Sequence, residues 1–479
     1  MFFEPKFIEQ LTTAARVCGC TPEFACAFST ALAQQSPAQL ARINPLAFAD
    51  AAGLDRERTL DLLISAARVG LFSFEWGLVC PLCGKIGSHS ESINEVTEDF
   101  HCAFCARDVD TVLDDTVEVT FALDTSCWTG FNRHADFATN FRYSVSSSFL
   151  PLEAWLAYHQ RHTVADALLG IGESMTLRYT PQPGELLRLY SLDLHSSVTF
   201  VTGETVQSDA AQSFAFSLQN NGFGEQNRQI EPRPLEIRIT NGSEERAWVQ
   251  LLRLVIPEIM SISANSEPHF GARLTGQRLL TNQVFRELYG LQRLIPDLRL
   301  RVKTVCLLFT DLKGSTEMYD RSGDLEAYHL VQKHFEILRA VVRQHAGAIV
   351  KTMGDAIMAA FPDPENGVRA AIDMLAGIQQ LSRDINPLSL GLKVGLHAGS
   401  VLTVNSGGLD FFGQTVNIAA RVQGLAEAGE ICLTDAVRHA PRCEDILRAQ
   451  GFTLSSEVSR LKGVEQERRI VRCTPESAA

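Results

Sequence analysis

The chain has 479 residues, 45% of them hydrophobic and 21% charged, and its formal net charge is −13. This length is too great for one hydrophobic core and predicts three or four domains. The negative charge argues against a general role on nucleic acid or on acidic membrane surfaces. The sequence contains no apolar run of about 18 residues and does not start with a signal-peptide pattern, so we expect a soluble, cytoplasmic protein without a membrane span.

The first predicted unit, residues 1–76, is helical, with turns near Pro22, Pro37 and Pro45. Residues 44–72 follow the pattern helix, turn, helix and short strand, which resembles a winged-helix unit, and such units often bind DNA. From Arg42 to Arg68, four arginines are balanced by four acidic residues, so no basic face is available for phosphate contacts. A scaffold or protein-contact role is therefore favoured, with DNA binding as the alternative.

Two Cys-X-X-Cys pairs lie in the second predicted unit, residues 77–115: Cys80 with Cys83, and Cys102 with Cys105. Eighteen residues separate the pairs, which is the spacing of a zinc ribbon. Since disulfides are disfavoured in the cytosol, we expect one structural Zn²⁺ bound by four thiolates. A redox pair and buried thiols without metal are the alternatives. Most of the other eight cysteines are predicted to be small apolar residues in packed elements: Cys18, Cys20, Cys26, Cys127, Cys306, Cys432, Cys443 and Cys473.

The third predicted unit, residues 116–262, alternates strand-like segments with Gly, Asn and Ser turns. This pattern predicts a β-sandwich, interrupted by a helix around residues 151–170. Its tryptophans, Trp128, Trp155 and Trp248, are predicted to be core residues more readily than the lining of a ligand pocket. The sequence names no ligand.

Residues 263–301 connect this region to the last unit and contain a helical apolar stripe at positions 284, 285, 288, 291 and 294. Two such helices pairing in a dimer would transmit a signal to the unit that follows. A helix that only packs within its own chain explains the stripe equally well.

Two aspartates in the last predicted unit, residues 302–479, lie at the ends of apolar strands. Asp311 precedes a Gly/Ser loop, and Asp355 follows Met353-Gly354, which predicts a tight hairpin. If the hairpin lies beside the first strand, the two carboxylates converge and suit a pair of Mg²⁺ ions carrying a triphosphate. Either aspartate alone is better explained as a turn residue or a helix cap.

A third segment predicts a polar stripe on an otherwise apolar helix. In residues 409–422 a strand ends at Gly413 and a helix begins, with Asn417 and Arg421 four residues apart on one face. Apolar residues surround both side chains, which argues against two ordinary solvated positions.

With these three segments, residues 302–473 resemble the catalytic domain of class III nucleotidyl cyclases. The motifs Phe-Thr-Asp-Leu, Lys-Thr-Met-Gly-Asp, Asp-Phe-Phe-Gly and Val-Asn-Ile-Ala-Ala-Arg occur in the family's order over a little more than a third of the chain. The resemblance implies a ferredoxin-like α/β domain at the end of a multidomain α+β chain. The sequence pattern agrees, with helical spacing at 323–345 and 364–381 and strand-like runs at 304–310, 348–352, 355–361, 391–397 and 430–434.

The resemblance also implies a role for each residue that matches a motif. Asp311 and Asp355, with the backbone carbonyl of Leu312, would bind two Mg²⁺ or Mn²⁺ ions at the substrate triphosphate. Asn417 would orient the ribose, and Arg421 would stabilise the charge that grows on the α-phosphate in the transition state.

Base choice falls to Lys351 and Asp410. Adenine offers an acceptor at N1 and a donor at N6, which an ammonium and a carboxylate complement, whereas guanine has the reverse pattern. The resemblance therefore implies ATP as substrate, with cyclic AMP and pyrophosphate as products. Guanylyl members usually carry Glu where Lys351 stands. Lys462 is a weaker candidate for the triphosphate, because the residues after Arg460-Leu461-Lys462-Gly463 diverge from the family.

In this family, the metal carboxylates of one subunit work with the base-reading and transition-state residues of the other. All six residues are present in this chain, so a symmetric homodimer with two sites is expected, and a monomer should be inactive. The N-terminal half would then regulate the enzyme through an unidentified ligand or protein. Two other functions remain open: a cyclase for another nucleotide, and a binding or signalling module that has the cyclase fold without catalysis.

Overall fold

The structure is a computed structural model that describes residues 5–105, 107–128, 130–206, 210–224, 227–264, 269–290, 300–313, 315–384, 390–405, 408–464 and 467–476. Below, residues 5–290 are called the N-terminal part and residues 300–476 the catalytic unit. The end of the predicted linker stripe, at positions 291 and 294, lies outside the described residues. Within the described ranges, no helix is long and apolar enough to cross a membrane.

The N-terminal part begins with five helices: Pro5–Cys18 (α1), Pro22–Ala33 (α2), Pro37–Ala41 (α3), Pro45–Ala52 (α4) and Arg56–Arg68 (α5). The prolines predicted as turn breaks are the first residues of α2, α3 and α4, where the missing N–H costs nothing. Thr21, Ser36 and Asn44 cap these helices by accepting hydrogen bonds from backbone N–H groups of the first turn.

Five short strands follow: Phe72–Val79 (β1), Ile86–Ser90 (β2), Asp99–Cys102 (β3), Arg107–Asp110 (β4) and Val117–Leu123 (β5). Strand β1 pairs with both β2 and β5, while β3 and β4 form a separate hairpin. The cysteine pairs lie at the turn between β1 and β2 and at the turn between β3 and β4.

Two further helices and eight strands form the middle of the chain: Phe137–Ser144 (α6), Leu152–His162 (α7), Thr163–Leu169 (β6), Ser174–Tyr179 (β7), Leu186–Ser191 (β8), Ser196–Thr202 (β9), Gln212–Leu218 (β10), Asn227–Ile230 (β11), Leu235–Asn241 (β12) and Ala247–Arg253 (β13). They build one sheet in the order β10-β12-β7 and another in the order β11-β9-β8-β13-β6. One apolar cluster contains residues of both sheets.

The helix predicted around residues 151–170 is only partly correct. It ends at His162, and Thr163–Leu169 is a strand that pairs with Ala247–Arg253. Tertiary pairing with a buried neighbouring strand outweighs the helical spacing of this segment. The finer sequence-based description, a winged-helix-like unit followed by a β-sandwich, stays a prediction.

Three helices connect the middle of the chain to the catalytic unit: Ile256–Ala264 (α8), Gly276–Leu280 (α9) and Gln283–Tyr289 (α10). The catalytic unit then contains Arg301–Lys313 (β14), Ser315–Gln344 (α11), Ala348–Met353 (β15), Ala356–Phe361 (β16), Pro364–Asp384 (α12), Gly391–Asn405 (β17), Leu409–Phe412 (β18), Gln414–Gln423 (α13), Ile431–Thr434 (β19), Asp435–Arg438 (α14), Cys443–Ala449 (α15), Phe452–Ser459 (β20) and Arg468–Pro475 (β21). Its sheet has the order β15-β16-β14-β17-β19-β21-β20, with β18 paired to β17.

The two faces of this sheet pack against different partners. Leu308 and Ala359 belong to a cluster that includes α11 and α12. Phe309 and Met358 belong instead to a large cluster with residues of α1, α5, β1 and α10 from the N-terminal part. Because neighbouring residues of a strand point to opposite faces, the N-terminal part covers the face that α11 and α12 leave free.

Candidate active site

The two predicted metal aspartates lie at the same end of neighbouring antiparallel strands. Phe309 of β14 pairs with Met358 of β16, and the Ile357 N–H donates to Thr310 Oγ1 at 3.1 Å. Continued by two residues, this register places Asp311 opposite Ala356, directly beside Asp355. Both carboxylates are partly exposed. Neither side chain has an ion-pair or hydrogen-bond partner among the described residues, so their oxygen atoms are free for a ligand.

The hairpin predicted from the sequence is confirmed and presents Asp355. Met353 pairs with Ala356, so that Gly354 and Asp355 form a two-residue loop. Gly354 has φ of +66°, a left-handed conformation that glycine adopts without strain. Buried His334 of α11 holds the loop in place, because its Nε2 donates to the Asp355 carbonyl at 3.1 Å.

Lys351 and Asp410, the two predicted base-reading residues, are in direct contact. The distance from Lys351 Nζ to Asp410 Oδ2 is 2.7 Å, although their strands, β15 and β18, are not neighbours in the sheet. The Asp410 side chain is 14% exposed and that of Lys351 is 40% exposed. The pair therefore has a buried acceptor and an accessible donor, and its second carboxylate oxygen receives the backbone N–H of Phe411.

The apolar residues around Asn417 and Arg421 argued against ordinary solvated positions, but both side chains are exposed. Helix α13 presents them on one face, as the sequence predicts. Its opposite sides are buried: Ala419 packs in the cluster shared with the N-terminal part, and Ile418 packs against Leu461. Leu461 precedes Lys462 in the turn between β20 and β21, so this exposed lysine lies in a turn packed against α13.

Two of the candidate residues, Asp311 and Lys351, lie on the sheet face that the N-terminal part covers. Asp311 lies two positions after Phe309, and Lys351 pairs directly with Met358. Residues two apart on a strand, and residues directly paired across strands, point to the same face. Since Phe309 and Met358 pack against the N-terminal part, the polar residues lie at the open edge of this covered face.

Helix α10 contacts the strands that carry Lys351 and Asp410, which the sequence did not predict. Arg286 Nη1 donates to the Leu409 carbonyl at 2.8 Å, one residue before Asp410, and its guanidinium lies 5.2 Å from the Phe411 ring centre. Gln283 Oε1 accepts the Ile349 N–H at 2.8 Å, two residues before Lys351. Burial lowers the pKa of Arg286 to about 10. The only sequence signal was the apolar stripe that surrounds Arg286.

The four ribbon cysteines converge as the sequence predicts. Their sulfur atoms all lie within 4.8 Å of one another, with 3.9 Å between Cys80 and Cys105 and 3.6 Å between Cys83 and Cys102. Tetrahedral Zn²⁺ with Zn–S bonds near 2.3 Å places sulfur atoms about 3.8 Å apart. Three of the four residues are buried, so the cluster is a closed site of the structural kind.

Family comparisons divide the chain at the boundary between its two parts. A family model described as Adenylate and Guanylate cyclase catalytic domain matches residues 299–467. Another, described as a Family of unknown function (DUF5939), matches residues 9–287, which is more than half of the chain. The second match spans the predicted helical, ribbon and middle units together.

Individual relatives match about a third of the chain. The pH-sensitive adenylate cyclase MT1302 of Mycobacterium tuberculosis (strain CDC 1551 / Oshkosh) is 30% identical over 171 residues, 36% of this chain and 40% of that protein. Putative adenylate cyclase 3 of Rhizobium meliloti (strain 1021) is 27% identical over 139 residues, 29% of this chain and 23% of that protein. The chain covers 10% to 40% of the length of the first four curated relatives.

Among solved structures, the adenylyl cyclase CyaB from P. aeruginosa is 18% identical with a TM-score of 0.32, covering 38% of this chain and 98% of that chain. The motifs and the two family matches agree on the organisation of the molecule. The chain belongs to the family of unknown function DUF5939 through residues 9–287 and carries a class III adenylate and guanylate cyclase catalytic domain at residues 299–467.

Proposed function

We propose that the protein is an adenylyl cyclase that converts ATP to 3′,5′-cyclic AMP and pyrophosphate. The observation that carries this proposal is the 2.7 Å contact between Lys351 and Asp410. It puts an ammonium donor and a carboxylate acceptor side by side, which complements the N1 and N6 edge of adenine. Guanine presents a donor and an acceptor in the reverse order, so this pair selects against GTP.

The aspartate pair suits the divalent ions that such a reaction uses. Asp311 and Asp355 are adjacent, partly exposed and free of protein partners among the described residues, and carboxylate oxygens are the ligands that Mg²⁺ and Mn²⁺ prefer. These two side chains, with the Leu312 carbonyl, would hold two ions. When bound, the ions would lower the pKa of the ribose 3′-hydroxyl and neutralise the triphosphate.

The remaining residues would act on the sugar and the phosphates. Asn417 orients the ribose, and Arg421, four residues later on the same exposed face of α13, donates to the α-phosphate as its charge grows. A planar guanidinium suits this role because it stays charged and donates two hydrogen bonds in a fixed geometry. Lys462 would contact the triphosphate from the turn packed against α13. A homodimer would combine the aspartates of one subunit with the other residues of its partner.

The test is cyclic nucleotide production by the purified full-length protein with ATP or GTP and with Mg²⁺ or Mn²⁺. We expect cyclic AMP from ATP, and loss of at least about a thousandfold in Asp355→Ala, which removes a metal ligand. Lys333→Glu on the exposed side of α11 is a control that should retain activity. Cyclic GMP as the main product would refute the base assignment, and activity retained in Asp355→Ala would refute the metal assignment.

We also propose that the N-terminal part regulates catalysis. It covers the sheet face that carries the catalytic side chains, and α10 binds β18 and β15 beside Asp410 and Lys351. Asp114, at the end of the ribbon region, accepts the backbone N–H groups of Lys303 and Thr304 at 2.9 and 3.0 Å. A movement of this part would therefore shift the strands that position the catalytic residues. The MT1302 relative is named for its pH sensitivity, so control of the cyclase by its surroundings has a parallel among similar proteins.

We propose that the four-cysteine cluster binds one structural Zn²⁺. The distances between the sulfur atoms, which are close to those of a tetrahedral zinc site, support this proposal. Metal analysis of the purified protein should give one zinc per chain, and a chromogenic chelator should report its release when a mercurial blocks the thiols. Cys83→Ser should lower the zinc content, whereas Cys26→Ser, at an exposed thiol outside the cluster, should not. Full zinc content in Cys83→Ser would refute the site.

A further inference from the structure

Two thiols outside the zinc cluster lie in contact at the end of the first helix. Cys18 ends α1, Gly19 follows with φ of +71°, and Cys20 comes next. The distance between the two Sγ atoms is 3.3 Å. Cys18 is buried, while Cys20 is partly exposed, so small molecules in solvent have access to the pair through Cys20. The sequence had suggested only scattered apolar cysteines here.

The contact between the two thiols favours a thiolate at Cys18, although burial and the nearby Asp61 oppose it. The hydrogen bond between the two thiols lowers the pKa of Cys18 to about 7, and the same bond raises the pKa of Cys20. The lowered pKa increases the fraction of Cys18 that is a thiolate near neutral pH, in contact with the Cys20 thiol. This is the arrangement in which one sulfur reacts and the other resolves the product.

The pair is connected directly to the catalytic unit. Arg343, near the end of α11, donates from Nη2 to the Cys18 carbonyl. The same Nη2 donates to Asp61 Oδ2 at 2.8 Å, and Asp61 Oδ1 accepts from Asn282 at 2.9 Å. A change in the backbone at residues 18–20 would thus reach α11, α5 and the residue that caps α10.

We propose that Cys18 and Cys20 form a dithiol site that hydrogen peroxide oxidises reversibly to a disulfide, and that this oxidation weakens the hold of the N-terminal part on helix α11. A disulfide requires the sulfur atoms to approach from 3.3 Å to about 2.0 Å. This approach tightens the turn at Gly19 and moves the Cys18 carbonyl away from Arg343.

The chemistry needs only peroxide as oxidant. The thiolate sulfur attacks one peroxide oxygen, the O–O bond breaks, and hydroxide leaves as a sulfenic acid forms. The second thiol sulfur then attacks the sulfenic sulfur, an S–S bond forms, and the hydroxyl group leaves as water with the thiol proton. The two sulfurs lose two electrons, peroxide gains them, and the hydroxide takes a solvent proton to become the second water. A thiol reductant reverses the reaction.

Mass spectrometry of the full-length protein tests the site without reference to catalysis. The reduced, zinc-loaded protein is treated with a slight excess of hydrogen peroxide, alkylated and digested. We expect the peptide containing residues 18–20 to lose two hydrogens and to resist alkylation until a reductant is added. The Cys26 thiol, on α2 and exposed, serves as the internal control and should be alkylated throughout.

Two results would overturn the site. One is that Cys18 and Cys20 are still alkylated as free thiols at a peroxide dose that is high enough to release zinc from the ribbon cysteines. The other is sulfinic acid at Cys18 or Cys20 without a link between them. Because these readouts come from the wild-type chain, they do not depend on a variant that folds poorly.

The link to the catalytic unit is tested by hydrogen exchange of the end of α11, residues 338–344. We expect faster exchange in the oxidised protein, restored by reductant, present in Cys26→Ser and absent in Cys20→Ser. Unchanged exchange in a protein with the disulfide formed would overturn the link. A further expectation, which rests on the proposed function, is a cyclase rate increased at least about fivefold by oxidation. If the chain lacks cyclase activity altogether, the mass and exchange measurements still decide the proposal.

Discussion

Single residues determine the expected substrate of this chain, and the contact between Lys351 and Asp410 is the most direct example. The Asp410 carboxylate is largely buried and keeps its partner close, while the Lys351 ammonium remains accessible. The geometry holds one donor and one acceptor together before any nucleotide arrives. Preorganisation of this kind lowers the cost of ordering side chains when the base binds.

Replacing Lys351 with glutamate should remove the proposed selectivity for adenine. The change puts a second carboxylate beside Asp410, so adenine N1 loses its donor and the like charges repel. We expect kcat/KM for ATP to fall about a hundredfold, because a hydrogen bond from a charged group contributes about 1.5–3 kcal/mol. Steady-state kinetics with ATP and GTP measure the effect, with Lys333→Glu as the charge-matched control. A variant with an unchanged rate on ATP would show that Lys351 does not contact the base.

A second residue predicts how acid affects the catalytic unit. His397 of β17 is buried, and its Nδ1 lies 2.8 Å from Thr434 Oγ1. Burial, with a smaller effect from Arg468, lowers the pKa of His397 to about 4. In the unfolded chain the pKa of this histidine is about 6.5, so between pH 4 and pH 6.5 the unfolded state binds more protons than the folded state. The stabilising contribution of neutral His397 is therefore complete above pH 6.5 and is lost as the pH falls toward 4.

The size of this effect can be measured by denaturant unfolding. Between pH 7 and pH 5 the free energy of unfolding should fall by about 2 kcal/mol through His397 alone. His397→Asn cannot gain a proton there, so the fall with pH should be smaller in the variant by that amount. The comparison with wild type removes the contributions of all other titrating groups. Parallel pH curves for the two proteins would mean that His397 is not held neutral.

At the scale of secondary-structure elements, helix α10 connects the N-terminal part to strands β18 and β15 of the catalytic unit. Its Arg286 is buried between the Leu280 and Leu409 carbonyls, at 2.7 and 2.8 Å, and its Nη2 atom has no partner among the described residues. A buried charge with incomplete hydrogen bonding is costly. The helix therefore holds β18 through a contact that is specific but not strongly stabilising, which suits the regulatory role proposed for the N-terminal part.

Arg286→Ala should release β18 from the N-terminal part. We expect the basal rate with ATP to rise about fivefold, the lower end of usual coupling free energies. Arg339→Ala is the matched control, because Arg339 is exposed and lies 3.9 Å from Glu287 of the same helix. Activity is measured alongside thermal unfolding, because the loss of packing around residue 286 would itself lower the stability of the protein. A fall in activity without a change in stability would show that Arg286 supports catalysis instead of restraining it.

The same elements show how far the sequence could predict the structure. Strands β14 to β17 and helices α11 and α12 have strong periodicity, so their existence and order were predicted correctly. Their bounds were less accurate, because α11 begins eight residues earlier and β17 ends eight residues later than predicted. The candidate site residues stood out in the sequence because they lie at strand ends and on one helix face. The role of α10 was not, since helical spacing does not reveal that Arg286 is buried against another unit. The strand at residues 163–169 was missed because pairing with β13 decides its conformation.

At the scale of the whole molecule, the two parts share one hydrophobic core. The largest apolar cluster among the described residues contains residues of both parts, from Phe7 of α1 to Ala419 of α13. An interface that is continuous and apolar behaves like the inside of a domain. We therefore expect the N-terminal part and the catalytic unit to move relative to each other only when a specific stimulus opens this core. Removal of residues 1–300 would expose a large apolar surface on the catalytic unit.

Only part of the covered face is available to a second chain. Asn417 and Arg421 are exposed, and Asp311 and Asp355 are partly exposed at the open edge of the sheet. A partner subunit could therefore reach these residues without displacing the N-terminal part. In a symmetric dimer, each site would take its metal aspartates from one subunit and its base-reading and transition-state residues from the other.

Mixing two inactive variants tests this shared site. Asp355→Ala keeps Arg421, and Arg421→Ala keeps Asp355, so a dimer of one chain of each kind has one intact site and one doubly damaged site. Half of randomly formed dimers are of this kind, and the mixture should recover about a quarter of the wild-type rate. Co-expression of the two variants, followed by cyclic AMP measurement, gives the result, and Asp355→Ala co-expressed with Asp355→Ala,Arg421→Ala is the control that should stay inactive. If the first mixture shows no recovery although sedimentation shows dimers, each chain contains a complete site. The contact of α10 with β18 would then affect only the site of its own chain.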